Sequence, residues 1–109
     1  MSGNSGGDSM PSVNRPNQNE NCEELVINTN LASPHAEVIN NLSQGDTLEI
    51  TIASDQGPIQ AIDKDGQLAG NIISREQVKL LNCIIGGTVY EAEVLSINEG
   101  QCNIQIRAI

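Results

Sequence analysis

Tyr90 is the only aromatic residue in a chain of 109, which contains no Phe and no Trp. Aromatic side chains bury the largest apolar areas available to a core. A core without them has to be assembled from Ile, Leu, Val and Ala. Isoleucine is used heavily, and β-branched side chains favour strands over helices. The chain is therefore expected to be mostly β, held by aliphatic packing at 38% hydrophobic content.

Two regions differ in texture. Residues 1 to 22 are rich in Gly, Ser, Asn and Pro, with Val13 and two methionines as nearly all the apolar content. Such a stretch buries too little surface to offset its ordering entropy. It reads as a disordered tail over 1–22, leaving a single small β-barrel domain over 23–109. No apolar run approaches the roughly 18–20 residues that cross a bilayer, and nothing at the start reads as a signal peptide. No membrane association is expected.

Within the domain, Glu24 to Thr29 reads as a first strand. Ser33-Pro34 predicts a helix over 34–42, with Ser33 as cap and Pro34 in the first turn. Asp46 to Ser54 alternates, with Leu48, Ile50 and Ile52 on one face and Thr47, Glu49 and Thr51 on the other. Asp55 to Pro58 is a turn. Ile59–Asp63 and Gln67–Ile72 form a hairpin about Lys64-Asp65-Gly66. Ser74 with Gln77 makes a capping box for a helix over 74–85. Its buried stripe is expected at Val78, Leu81 and Ile85, with Leu80 and Ile84 in support, and Gly86-Gly87 ends it. A second hairpin closes the chain. Tyr90, Ala92 and Val94 lie opposite Glu91 and Glu93 in one strand, and Cys102, Ile104 and Ile106 face the core from the other. The fold class is mostly β with two short helices (α+β), as a small six-stranded β-barrel or sharply bent antiparallel sheet.

Chemistry-bearing motifs are sparse. The sequence contains no nucleophile elbow, zinc-protease pair, P-loop or dinucleotide fingerprint. The single His35 falls in the first turn of the short helix. Asp63-Lys64-Asp65-Gly66 lacks the closing Glu of a calcium loop, since Ile72 stands there. Gly86-Gly87 follows a helix, where the macrodipole repels phosphate. Glu91 and Glu93 share a strand face, which reads first as a solvated face and only as the alternative as a contact for a basic partner. Cys22, Cys83 and Cys102 are odd in number and lack C-x-x-C spacing, arguing against a disulfide framework and against zinc. Cys83 and Cys102 are expected as buried hydrophobes, and a reducing, cytoplasmic setting follows. The chain is not expected to be an enzyme or to carry a cofactor or metal.

The net charge is −9, from 14 acidic and five basic residues. Lys and Arg neutralising phosphates supply most affinity for a nucleic-acid backbone. The cations of the domain are only Lys64, Arg75, Lys79 and Arg107. An acidic surface instead suits a basic protein partner or imitation of a polyanion.

Ala61-Ile62, then Gly66, Leu68, Gly70 and Ile72, a capped helix, and then Gly87, Tyr90, Ala92 and Val94 form a pattern. Over roughly Asp46 to Ile106 the chain resembles the HIRAN domain, a small β-barrel module appended to helicase-type remodellers and found as stand-alone bacterial proteins. That resemblance implies recognition of a single-stranded DNA 3′ end by the loop preceding Ala61. Here the loop runs from Ser54 to Gln60, with Pro58 and Gln60 at positions where the family pattern has Asp and Asn. The implied ligand-binding residues are Asp55, Gln56 and Gln60, with Lys64, Arg75 and Lys79 as cationic contacts. Arg75 and Lys79, four apart, would share a helix face. The favoured reading is a non-catalytic protein–protein interaction module or adaptor with an acidic surface. Single-stranded DNA end recognition is the alternative, and an acidic DNA-mimic inhibitor a further one. The sequence leaves the oligomeric state open.

Overall fold

The computed structural model describes residues 21–109. The strands are β1 (Val26–Asn30), β2 (Thr47–Ile52), β3 (Ile59–Ile62), β4 (Leu68–Ile72), β5 (Tyr90–Asn98) and β6 (Gln101–Ala108). The helices are α1 (Ala36–Ile39) and α2 (Gln77–Ile85). All strand pairs are antiparallel, in the order β1-β6-β5-β2-β3-β4. The sheet curls into a half-barrel, in agreement with the mostly β fold class.

Local chemistry explains the hairpins. Glu99 and Gly100 both have positive φ, at 53° and 85°, between the paired residues Asn98 and Gln101. Two left-handed residues make the turn whose twist matches a two-residue hairpin. At the β3–β4 turn, Asp63 Oδ1 accepts from the amides of Asp65 and Gln67 at 2.9 and 2.8 Å. Its carboxylate is committed to holding the turn.

The two sheet edges meet at one point. Ala32 and Asn71 exchange backbone hydrogen bonds of 2.8 Å in each direction, and the amide of His35 donates to the Ala69 carbonyl at 2.9 Å. The chain leaving β1 thus crosses to β4 and closes the curl there. This changes the expected first helix. Residues 33–35 are used in the crossing, Ser33 adopts φ 47°, and α1 starts at Ala36 with no side-chain cap.

The core lies inside the curl. Leu48 and Ile50 from β2, Tyr90, Ala92 and Val94 from β5, and Cys102, Ile104 and Ile106 from β6 are all buried. Val38 and Ile39 of α1 and Leu80 and Cys83 of α2 close it. The α2 stripe differs from the expected one. Leu80 and Cys83 face inward, Leu81 and Ile84 are half-buried, and Val78 and Ile85 are exposed. The expected capping box forms only in half: the Ser74 amide donates to Gln77 Oε1 at 3.2 Å, but Ser74 Oγ accepts from the Glu76 amide at 3.1 Å, and the Gln77 amide donates to the Ser74 backbone carbonyl at 3.1 Å. These bonds close a turn before α2, so Arg75 precedes the helix instead of sharing a face with Lys79.

The cysteine expectation is overturned. Cys22 and Cys83 form a disulfide, which also fixes the rotation of α2. Cys22 is buried, so the folded unit includes residue 22; the rest of the expected tail, 1–20, lies outside the described residues. Sequence spacing missed the bond because its partners are 61 positions apart. Cys102 is free and buried, as expected. The Tyr90 hydroxyl donates to the Cys22 carbonyl, linking β5 to the start of the folded unit.

Burial pushes the pKa values of the Tyr90 phenol and the Cys102 thiol upward, because their charged forms are desolvated. Above their ordinary values of 10.0 and 9.0 the folded state therefore holds more protons than the unfolded chain. Stability falls with rising pH wherever the native state binds the extra proton. Their contribution is complete below about pH 9 and declines above it. Denaturant titrations at about pH 8 and about pH 10.5 should show a lower midpoint at the higher pH. In Tyr90→Phe the part of that decline lying above about pH 10 should disappear.

Candidate functional site

The six residues expected to bind ligand do not converge. Loop 54–58 and the turn at 63–66 lie at opposite ends of β3. Because Ile59 pairs with Ile72, the entry to α2 sits beside loop 54–58, and Lys64 sits at the far end of the hairpin. Lys64 and the start of α2 therefore do not meet. Gln56 lines a groove of about 460 Å³ between loop 54–58, the end of β4 and α2. Asp55, Arg75 and Lys79 are absent from that lining, and Lys79 is half-buried on α2. Gln60 lies within β3, opposite Thr51 and Asn71. Arg107 is turned to Glu93, 3.3 Å away, and to Gln105, at 3.1 Å. No cationic groove forms from these residues.

A different arrangement occupies the outer face of the sheet. The register places Glu49 of β2 between Ile62 of β3 and Glu91 of β5. Directly opposed side chains in an antiparallel pair have Cβ atoms about 5 Å apart. Arg107 lies opposite Glu91 on β6, but its guanidinium bonds Glu93 instead. That is the only ion pair among the described residues, leaving Glu49 and Glu91 without a cation within 4.0 Å. Like charges facing each other across a strand pair are unfavourable unless something of opposite sign intervenes.

Apolar surface adjoins these carboxylates. Val89 is 60% exposed and Ile109 78% exposed, and the Ile109 amide donates to the Val89 carbonyl at 3.0 Å. Glu49, Glu91, Ile62, Lys64, Val89 and Ile109 are among the residues that line a shallow trough of about 390 Å³, in which Lys64 is the one cation and makes no ion pair with either glutamate. Val89 and Ile109 also line a neighbouring hollow that reaches Glu23. The surface therefore joins two apolar side chains to carboxylates on both sides.

Alternation marked Glu91 and Glu93 as a possible contact for a basic partner. It did not bring in Glu49, because only the β2–β5 register places that residue opposite Glu91. Val89 and Ile109 carry no sequence signal of exposure. The lone aromatic is unavailable as a stacking platform, since Tyr90 is 1% exposed. No family model, curated protein or solved structure matches the chain. The HIRAN reading rests on the residues quoted for it alone.

Proposed function

We propose that this protein is a non-catalytic interaction module whose acidic outer face receives a basic segment of a partner protein. The observation that carries the proposal is the Glu49–Glu91 pair, which faces itself across two strands without a counter-ion and adjoins the exposed Val89 and Ile109. A partner cation placed over the pair would relieve the repulsion, while an aliphatic side chain beside it would cover the apolar surface. Charge of this kind steers encounter and sets specificity more than it adds raw affinity. Recognition of single-stranded DNA is less well served. Stacking contributes roughly 1–3 kcal/mol per base in such binders, and the chain's one aromatic is buried.

The setting follows from the cysteines. Disulfides persist in oxidising compartments. The Cys22–Cys83 bond takes away the ground for a reducing cytoplasm, and we place the module in an oxidising environment. No helix among the described residues is long and apolar enough to cross a membrane.

Calorimetric titration with a capped synthetic peptide carrying Lys and Arg between Val residues tests the proposal. Glu49→Gln combined with Glu91→Gln should weaken binding by roughly tenfold and flatten its salt dependence. Unchanged affinity in the double variant would contradict the assignment. Tighter binding of a single-stranded oligonucleotide than of the peptide would contradict it as well.

A further inference from the structure

The folded unit begins at the rim of the acidic face. Asn21 is exposed, whereas Cys22 is held by its disulfide to α2 and by the Tyr90 hydroxyl on its carbonyl. Glu23, the next residue, lines the hollow that shares Val89 and Ile109 with the trough. The chain preceding Asn21 is therefore joined at a fixed point beside the exposed apolar end of that trough. From this end the surface runs across the strands, from Val89 and Ile109 over Glu91 and Glu49 to the half-buried Ile62. Apolar, acidic and apolar surface follow one another in that order.

The sequence just before that point carries the complementary order. Arg15 is the one cation among the first 22 residues, with Pro16 on one side and Val13 two positions away on the other. Six positions separate Arg15 from Asn21, a reach of about 20 Å in extended chain. Val89 to Glu91 is about 7 Å along the strand, and Glu91 to Glu49 about 5 Å across. The reach covers both. Two extended residues, from Arg15 to Val13, span roughly 7 Å and place their side chains on one face. The middle of the glutamate pair lies one and a half strand spacings from Ile62, which is also roughly 7 Å. A residue before proline is steered toward extended backbone, which suits Arg15 ahead of Pro16.

We propose that residues 13–16 are an internal occupant of the acidic face, an autoinhibitory contact that a partner's basic segment has to displace. The inference rests on the reading of that face as a site for a basic segment, and adds how access to it is regulated. Arg15 lies over the Glu49–Glu91 pair, where its planar guanidinium serves both carboxylates. Pro16 covers Val89 and Ile109, and Val13 meets Ile62. A segment on a short flexible link competes at an effective concentration on the order of millimolar, so individually weak contacts suffice.

The test compares amide chemical shifts of the labelled full chain, without any ligand, with those of Val13→Ser combined with Arg15→Gln. Differences should gather at Glu49, Ile62, Val89, Glu91 and Ile109, and persist on dilution. In calorimetric titration the variant should bind the capped Lys/Arg–Val peptide roughly fivefold more tightly than the wild type does. Identical shifts across that face, together with an unchanged peptide affinity, would overturn the inference. Peptide binding that still depended on Glu49 and Glu91 would then leave the face itself assigned. Differences that vanish on dilution would place the segment of a second copy there and overturn the inference too. Differences at the face without peptide binding by either protein would support the internal contact and overturn the partner reading.

Discussion

Cys22→Ser is expected to destabilise the folded protein by roughly 3–4 kcal/mol, and reductant should act on the wild-type chain to the same extent. Cross-linking residues 61 positions apart removes a large share of the conformational freedom of the unfolded chain. The folded side loses as well. Cys22 supplies the carbonyl that accepts the Tyr90 hydroxyl, and its side chain belongs to the core. Once Cys22 is released, both that hydrogen bond and the seating of Cys83 on the inward face of α2 are weakened. For a domain of this size the loss corresponds to a melting temperature lower by roughly 15–25 °C. Thermal melts with and without reductant measure it. Thiol titration of the denatured, unreduced chain should find one reactive group, Cys102, in agreement with a single bond. Three reactive thiols and identical melts would contradict the bond.

Gly70→Ala is expected to cost about 2 kcal/mol, and Gly70→Val more, through overpacking at the closure of the curl. Gly70 is buried, and a Cβ there would stand 3.0 Å from the Ala32 carbonyl oxygen and 3.0 Å from Leu31 Cβ. Neither atom is the free end of a flexible side chain. Moving them apart strains the 2.8 Å bonds between Ala32 and Asn71, the one place where the two edges of the sheet touch. Chemical denaturation gives the size of the effect. Hydrogen exchange gives its location, with the amides of Ala32 and Asn71 losing protection before those of β5 and β6. A Gly70→Ala variant within about half a kcal/mol of wild type would mean that the closure contributes little.

The elements that were legible in the sequence are those fixed by local chemistry. Alternation over Leu48–Ile52 and Tyr90–Val94 identifies the buried face of β2 and β5, because side-chain direction in a strand repeats every two residues. The Asp-Gly and Glu-Gly turns mark the hairpins for the same local reason. What failed depends on distant contacts. The Ala32–Asn71 pairing uses up the residues that would otherwise cap α1, and no local pattern announces it. The rotation of α2 is set by Cys22, in a stretch whose Gly, Ser, Asn and Pro content reads as tail. Lys64 and Arg75 look close in the chain, yet β4 runs between them and carries them to opposite ends of the hairpin. The candidate face was half legible: Glu91 and Glu93 stand out by alternation, and Glu49 joins them only through register.

The central claim is that the outer face around Glu49 and Glu91 is where a basic protein segment sits. Its most direct test is amide chemical-shift mapping of the isotope-labelled chain during titration with the capped Lys/Arg–Val peptide. Saturable shifts at Glu49, Ile62, Val89, Glu91 and Ile109, with β1 and α1 undisturbed, are the predicted result. Shifts spread evenly over every acidic residue, or confined to loop 54–58 and α2, would contradict it.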